Sequence, residues 1–260
     1  LARRWRLGRA FLAGDAAHLT GALGVRALDE GLQDAANLAW KLALAWHHGA
    51  RDTDSDARLL GSYETERRTA VGARLRAVDQ AQPFVRRSGS GLRTLLPGGV
   101  SGPMGLLTDG HLGRGMLGGR TAYGRSPLSP SPEALDGARV AAGTQPGELV
   151  RDVPVTLLDG SGSWLRERLG GRGGDLVVVL VAPGTGVWDS RHWLRAGLMP
   201  ELAAAVTRLP LEAELVVAEE YAGAAAHTVL AVRPDGHLVA AFHGARTGAL
   251  QACARALTGA

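Results

Sequence analysis

Gly14-Asp15 is the pair in this chain whose residue types and placement could do chemistry. It closes a short apolar run, Ala10-Phe11-Leu12-Ala13, that reads as a buried strand, and it leads into Ala16-Ala17-His18. A carboxylate beyond the carboxyl end of a strand can accept hydrogen bonds from the hydroxyls of a bound molecule. The glycine before it lets such a molecule approach the backbone closely. Taken alone, the pair reads more readily as a strand-end aspartate capping the following turn, because Asp is common in turns. The sequence beyond it adds weight to the ligand reading. A loop over residues 19–30 leads to a helix expected to start near Gly31. A helix N-terminus there presents free N–H groups and roughly half a positive charge, which favours negative charge on a ligand.

The elements that must position this pair follow from periodicity. Residues 34–47 place Ala35, Leu38, Ala39, Leu42, Ala45 and Trp46 at helical spacing, with further alanines round the other side. A helix apolar almost all round is normally buried, here against a sheet. A second pattern over 57–82 holds Leu59, Leu60, Tyr63, Val71, Leu75 and Val78 behind a charged outer face. On that face Glu64 is expected to pair with Arg67 and Arg68 in solvent, for roughly 0.2–0.5 kcal/mol each. Residues 88–142 read as a Gly/Pro-rich, partly ordered connection, with Leu106, Leu107, Met116 and Leu117 as apolar anchors.

From Gly143 the character changes. Residues 175–182 form the continuous β-branched run of a strand buried on both faces. A helical pattern over 193–208 follows, then strands over 214–218 and 228–233. Pro234-Asp235-Gly236 is a tight turn, residues 237–242 complete a hairpin, and 250–257 form a closing helix.

Two stretches then acquire a joint meaning. Arg9 to His18, continued by Gln33-Asp34-Ala35-Ala36-Asn37-Leu38-Ala39-Trp40-Lys41-Leu42-Ala43, resembles the second flavin-contacting motif of the FAD-dependent aromatic hydroxylases. That group includes para-hydroxybenzoate hydroxylase. Ser62-Tyr63-Glu64-Thr65-Glu66-Arg67-Arg68 resembles a further signature of the same family. Residues 230–239 resemble the hairpin in its C-terminal thioredoxin-like extension. The resemblance implies an α/β chain in three parts. Residues 1–87 would be the C-terminal strand and helices of an FAD-binding domain, 88–142 the connection, and 143–260 a thioredoxin-like domain without Cys-x-x-Cys. It also implies FAD as cofactor, NAD(P)H as reductant, and hydroxylation of an aromatic or polyketide-like substrate with dioxygen.

By the same resemblance, Gly14 and Asp15 contact the ribityl or ribose-side hydroxyls of FAD. The segment Gly24, Val25, Arg26, Ala27, Leu28 and Asp29, up to Gly31, faces the flavin pyrimidine carbonyl. Gly24 and Gly31 fall on family glycines. Several positions depart from the family: Gly21-Ala22 replaces prolines, Val25 and Ala27 replace glycines, Asp29 replaces an Asn, and Thr69 replaces a proline. A carboxylate at Asp29 opposes anionic reduced flavin unless Arg26 pairs with it, so an altered flavin potential or a rearranged loop is expected. In the family this motif lies late in the chain, whereas here it begins at residue 10. The chain is therefore expected to be the C-terminal portion of such an enzyme, inactive by itself. The alternative is a naturally shortened, non-enzymatic protein whose thioredoxin-like domain mediates association, including association into a homo-oligomer.

Composition narrows the other classes. The chain has 260 residues and a formal charge of +4 carried almost wholly by scattered arginines, with Lys41 the only lysine. A nucleic-acid surface needs a basic cluster on one face, so nucleic acid is not an expected partner. No apolar run reaches ~18 residues, so no membrane span is expected, and the cytoplasm is the default location. The single cysteine, Cys253, leaves no intrachain disulfide, no four-cysteine zinc site and no dithiol chemistry, and reads as a small buried hydrophobe. The histidines show no metal-ligand spacing. Gly113-Arg114-Gly115-Met116-Leu117-Gly118 matches a dinucleotide-binding glycine spacing, but no strand pattern precedes it and no helix pattern follows.

Overall fold

In a computed structural model, the structure describes residues 1–19, 27–47, 53–87, 122–135, 137, 139–170, 174–185 and 197–258, with backbone alone at 27, 53 and 77–87. Two compact units emerge. The first comprises Leu1–Ala35 and Tyr63–Thr121, the second Ala36–Ser62 and Ala122–Ala260. These limits do not follow the sequence boundaries at 87 and 143, because two long helices each contribute to both units.

The first unit opens with a short antiparallel hairpin, β1 (Arg6–Leu7) and β2 (Ala10–Phe11). Gly8 turns it, with φ +59. The expectation of a buried strand ending at Gly-Asp needs correction. β2 stops at Phe11, is at most half-buried, and Leu12 is exposed. Burial on both faces requires neighbours that β1 alone does not supply among the described residues. Gly14–Ala16 instead form a 3-10 turn.

Helix α1 (Ala27–His47) begins one turn before the expected start at Gly31. Ala27 and Leu28 are strong helix formers, and Asp29 and Glu30 complement the positive end of the helix in its first turn. Its expected burial all round is also corrected: Leu28, Leu32, Leu42 and Trp46 are exposed, Trp46 at 84%. Helix α2 (Thr53–Arg87) is longer at both ends than the 57–82 pattern. Asp54 and Asp56 support its first turn in the same way.

The second unit is built on a six-stranded mixed sheet. Its strands are β3 (Pro154–Thr156), β4 (Gly162–Trp164), β5 (Leu176–Val181), β6 (Ala213–Ala218), β7 (Thr228–Val232) and β8 (Leu238–His243). They lie in the order β4-β3-β6-β5-β7-β8, with β5 and β6 parallel and the other pairs antiparallel. Helices α3 (Met199–Thr207) and α4 (Thr247–Thr258) complete the unit. The sequence order of strand, helix, strand, hairpin and helix is present; the first part of the expected 193–208 helix lies outside the described residues. β3 and β4 are new, being too short to show a period.

β5 is buried along its whole length, and its alternation divides the core. Leu176, Val178 and Leu180 pack with Leu202, Leu250 and Phe242. Val177, Val179 and Val181 pack on the other face with Val155, Leu165 and Tyr221. Each such side chain contributes roughly 1.5–3 kcal/mol on burial. Tyr123, Leu128 and Leu135 are buried in this unit, while the four expected anchors between Leu106 and Leu117 lie outside the described residues.

Candidate functional site

The candidate pair Gly14-Asp15 lies in the first unit, in the 3-10 turn. Gly14 has φ +58, a conformation in which an L side chain is strained. It approaches α1 at Gly31: a Cβ on Gly31 would stand 3.6 Å from the Gly14 Cα. The turn thus lies against the helix at a distance that would put a side chain at Gly31 in ordinary van der Waals contact. One turn further along the same helix face is Asp34, fully buried.

Asp34 organises the turn. Its Oδ2 accepts the Gly14 backbone N–H at 2.8 Å and the His18 Nε2–H at 2.7 Å. Its Oδ1 accepts Arg67 Nε–H at 2.7 Å. Burial alone would disfavour the charged carboxylate, but the bonds from His18, Arg67 and Gly14 and the Arg67 charge outweigh it and hold the carboxyl below its ordinary value. An ionised carboxylate only accepts, so Nε2 of His18 carries the hydrogen. Both remaining ring nitrogens in this corner, His18 Nδ1 and Trp5 Nε1, are buried without a hydrogen-bond partner among the described residues. The Trp5 and His18 rings pack 5.3 Å apart, and the Tyr63 hydroxyl donates to the Leu12 carbonyl at 2.7 Å.

Arg67 overturns the solvent-facing reading of α2. It is fully buried, and its guanidinium donates to Asp34, to Gln33 Oε1 at 3.1 Å, and to the Glu30 carbonyl and Oε2 at 3.1 and 2.6 Å. Arg74 closes the network on Glu30. Only the Arg68–Glu64 pair, at 3.1 Å, behaves as a partly exposed i,i+4 contact. The reason is geometric. Arg67 faces two carboxylates of α1, and a planar fork with several donors satisfies both where water is excluded.

Of the sequence-derived site residues, Gly14 and Asp15 are brought together with α1. Asp15 is exposed, and its carboxylate takes no part in the Asp34 bonds. Ala27, Leu28 and Asp29 form the first turn of α1, with Leu28 exposed and Asp29 half-buried. Gly24, Val25 and Arg26 lie outside the described residues, and so does the expected Arg26–Asp29 pairing. Sequence pattern does not mark His18, Asp34 and Arg67 as site residues. The signal that could have found them is the Gly31-x-x-Asp34 spacing, which puts a glycine and a carboxylate on one face.

The remaining candidates yield no second centre. Cys253 is buried, and burial pushes its thiol up to about 12, which suits packing and not nucleophilic chemistry. Among the described residues no group of three His, Cys, Asp or Glu could hold a metal ion, and no helix is long and apolar enough to cross a membrane. In the second unit, Asp235 is buried between Arg233, at 2.6 Å, and His237, and accepts the Trp40 indole N–H at 3.1 Å. Arg233 in turn lies over the Trp40 and Tyr123 rings. Its charges are internally matched, and it pins the β7–β8 turn.

The chain is similar to known proteins. Residues 1–78 match the FAD binding domain family. A dialkyldecalin synthase of Streptomyces rugosporus is 47% identical over 87 residues, 34% of this chain and 18% of that protein. A 6-methylpretetramide 4-monooxygenase of Streptomyces rimosus is 35% identical over 150 residues, 56% of this chain and 25% of that protein. The match thus spans a quarter or less of each relative. The crystal structure of aklavinone-11 hydroxylase, a ternary complex with FAD and aklavinone, has the same fold over 99% of this chain and 45% of its own, with TM-score 0.59 and 24% identity. The likeness to the FAD binding domain family thus covers residues 1–78.

Proposed function

We propose that this chain is part of an FAD-dependent monooxygenase that hydroxylates an aromatic or polyketide-like small molecule with NAD(P)H and dioxygen. The observation that carries the proposal is the Gly14-Asp15 turn, held on α1 with Asp15 exposed, inside the segment that matches the FAD binding domain. The monooxygenase among the relatives and the hydroxylase that shares the fold support the reaction class.

The residues present fit the cofactor. Gly14, at φ +58, carries no side chain beside the exposed Asp15, and Asp15 offers an acceptor for cofactor hydroxyls. The bound flavin would supply the redox chemistry and the activation of dioxygen. Within the chain, Asp15 would fix the cofactor's hydroxyl chain, and the α1 N-terminus, from Ala27 to Asp29, would face the electron-accepting ring edge. Gly24, Val25 and Arg26 complete the proposed contacts. The 143–260 region is proposed as a thioredoxin-like domain without thiol chemistry, and the location as cytoplasmic.

The test uses the full-length protein. FAD titration followed by flavin fluorescence, then NAD(P)H oxidation with a panel of phenols and polyketide aromatics, should give binding and substrate-stimulated turnover. Absence of FAD binding by the full-length protein would refute the proposal.

A further inference from the structure

The two bonds to Asp34 Oδ2 straddle Asp15. Gly14, immediately before it, donates its backbone N–H, and His18, at the far end of the same short turn, donates Nε2–H. Both donors converge on one oxygen of a carboxylate that is fully buried in α1. The other oxygen is occupied by Arg67 from α2, so the carboxylate cannot swing away without losing a charge-assisted bond. The turn adds two bonds of its own, Ala17 and His18 N–H to the Gly14 carbonyl at 2.9 Å each. Asp15 is therefore an exposed residue of a turn clamped at both ends.

We propose that Asp34 and His18 are positioning residues of the cofactor motif: together they hold the Gly14–His18 turn on α1 so that the exposed Asp15 carboxylate is presented to a cofactor hydroxyl. The inference rests on Asp15 being the flavin contact proposed above. It separates two parts of one buried network. The Asp34–Gly14–His18 side orients the turn, whereas the Glu30–Arg74 side fastens α2 to α1. A pre-ordered carboxylate loses less freedom when it binds, so disruption of the clamp should show in cofactor affinity as well as in folding.

The experiment measures the FAD dissociation constant of the full-length protein by flavin fluorescence, with circular dichroism and Tm for each variant. His18→Leu removes one clamp bond and should weaken FAD by about tenfold, that is ~1.4 kcal/mol. His18→Gln, whose amide N–H reaches the same oxygen, should restore most of that loss. Asp34→Asn should weaken FAD at least as much; if it fails to fold, the His18 pair decides the matter. Arg74→Gln should lower Tm and leave FAD affinity unchanged, because it breaks only the fastening side. In an Asp15→Ala background, His18→Leu should add less than about a factor of two, since its effect passes through Asp15. Full additivity there, or wild-type affinity in His18→Leu while Asp15→Ala is impaired, would overturn the positioning role alone. Unchanged affinity in Asp15→Ala itself would remove the flavin contact, and the positioning role with it.

Discussion

Replacing Arg67 by Met keeps most of the buried aliphatic stem and deletes the guanidinium. In the native structure that group donates to Asp34 Oδ1 at 2.7 Å, Glu30 Oε2 at 2.6 Å, and Gln33 Oε1 and the Glu30 carbonyl at 3.1 Å. Two carboxylates, Asp34 and Glu30, face two guanidinium groups, Arg67 and Arg74, so the cluster is charge-matched. After the substitution one negative charge is left uncompensated in a site with almost no solvent. Removing one partner of a buried pair costs about 3–5 kcal/mol. The residual bonds from Gly14, His18 and Arg74 place the expected loss at the lower end of that range. Arg68→Met is the control. Arg68 is partly exposed and bonds Glu64, so its loss should be about 0.2–1 kcal/mol.

Equilibrium urea unfolding of the full chain at neutral pH measures both. The pH dependence adds a second check with a definite sign. Asp34 has a folded value below its ordinary 3.8, so the unfolded chain binds more protons in that window. Its stabilisation is complete above 3.8 and is lost as pH falls through the depressed folded value. The gap between wild type and Arg67→Met should accordingly narrow in acid. A loss below about 1 kcal/mol at neutral pH, indistinguishable from Arg68→Met, would refute the buried-network reasoning.

Four further outcomes are expected. Gly14→Ala forces a side chain into φ +58 and should cost about 1–2 kcal/mol, whereas Gly31→Ala meets only ordinary contact at 3.6 Å and should stabilise α1 by up to ~1 kcal/mol; opposite signs in Tm check both. Asp235→Asn should destabilise the chain by about 3 kcal/mol in urea, because Arg233 stays buried without that carboxylate. Burial opposes the Asp235 charge, but Arg233 and His237 hold its carboxyl well below the ordinary range, so this contribution should persist until strongly acidic pH. Cys253 should be inert to a thiol reagent at pH 8 in the native chain and react fully in urea, since burial raises its thiol to about 12. Asp29→Asn in the full-length protein should raise the flavin reduction potential, read by dye-coupled reduction; an unchanged or lower value would remove Asp29 from the ring edge.

Local pattern carried much of this protein. The β-branched run of β5, the Pro234-Asp235-Gly236 turn and the periodicity of α1 and α2 are short-range signals; each element is present, with α1 and α2 running beyond the ends that periodicity marks. The turn at Gly14-Asp15 was legible because glycine and aspartate favour turns by residue type and order. Arg67 marks the limit of such reading. Its helical neighbour Glu64 is the partner that i,i+3 arithmetic offers, but its buried partner Asp34 lies 33 residues away. A desolvated fork between two carboxylates exists only once α1 packs on α2, and no period in the chain encodes it. The same holds for His18, which bonds Asp34 across 16 residues, and for Trp40, which meets Asp235 across 195 residues. Sequence alone determined the elements and the motif, since both rest on near-neighbour sterics and hydrophobic spacing. Tertiary packing decided which charges are buried together, because pairing energy depends on distance and exclusion of water, which only the folded chain sets.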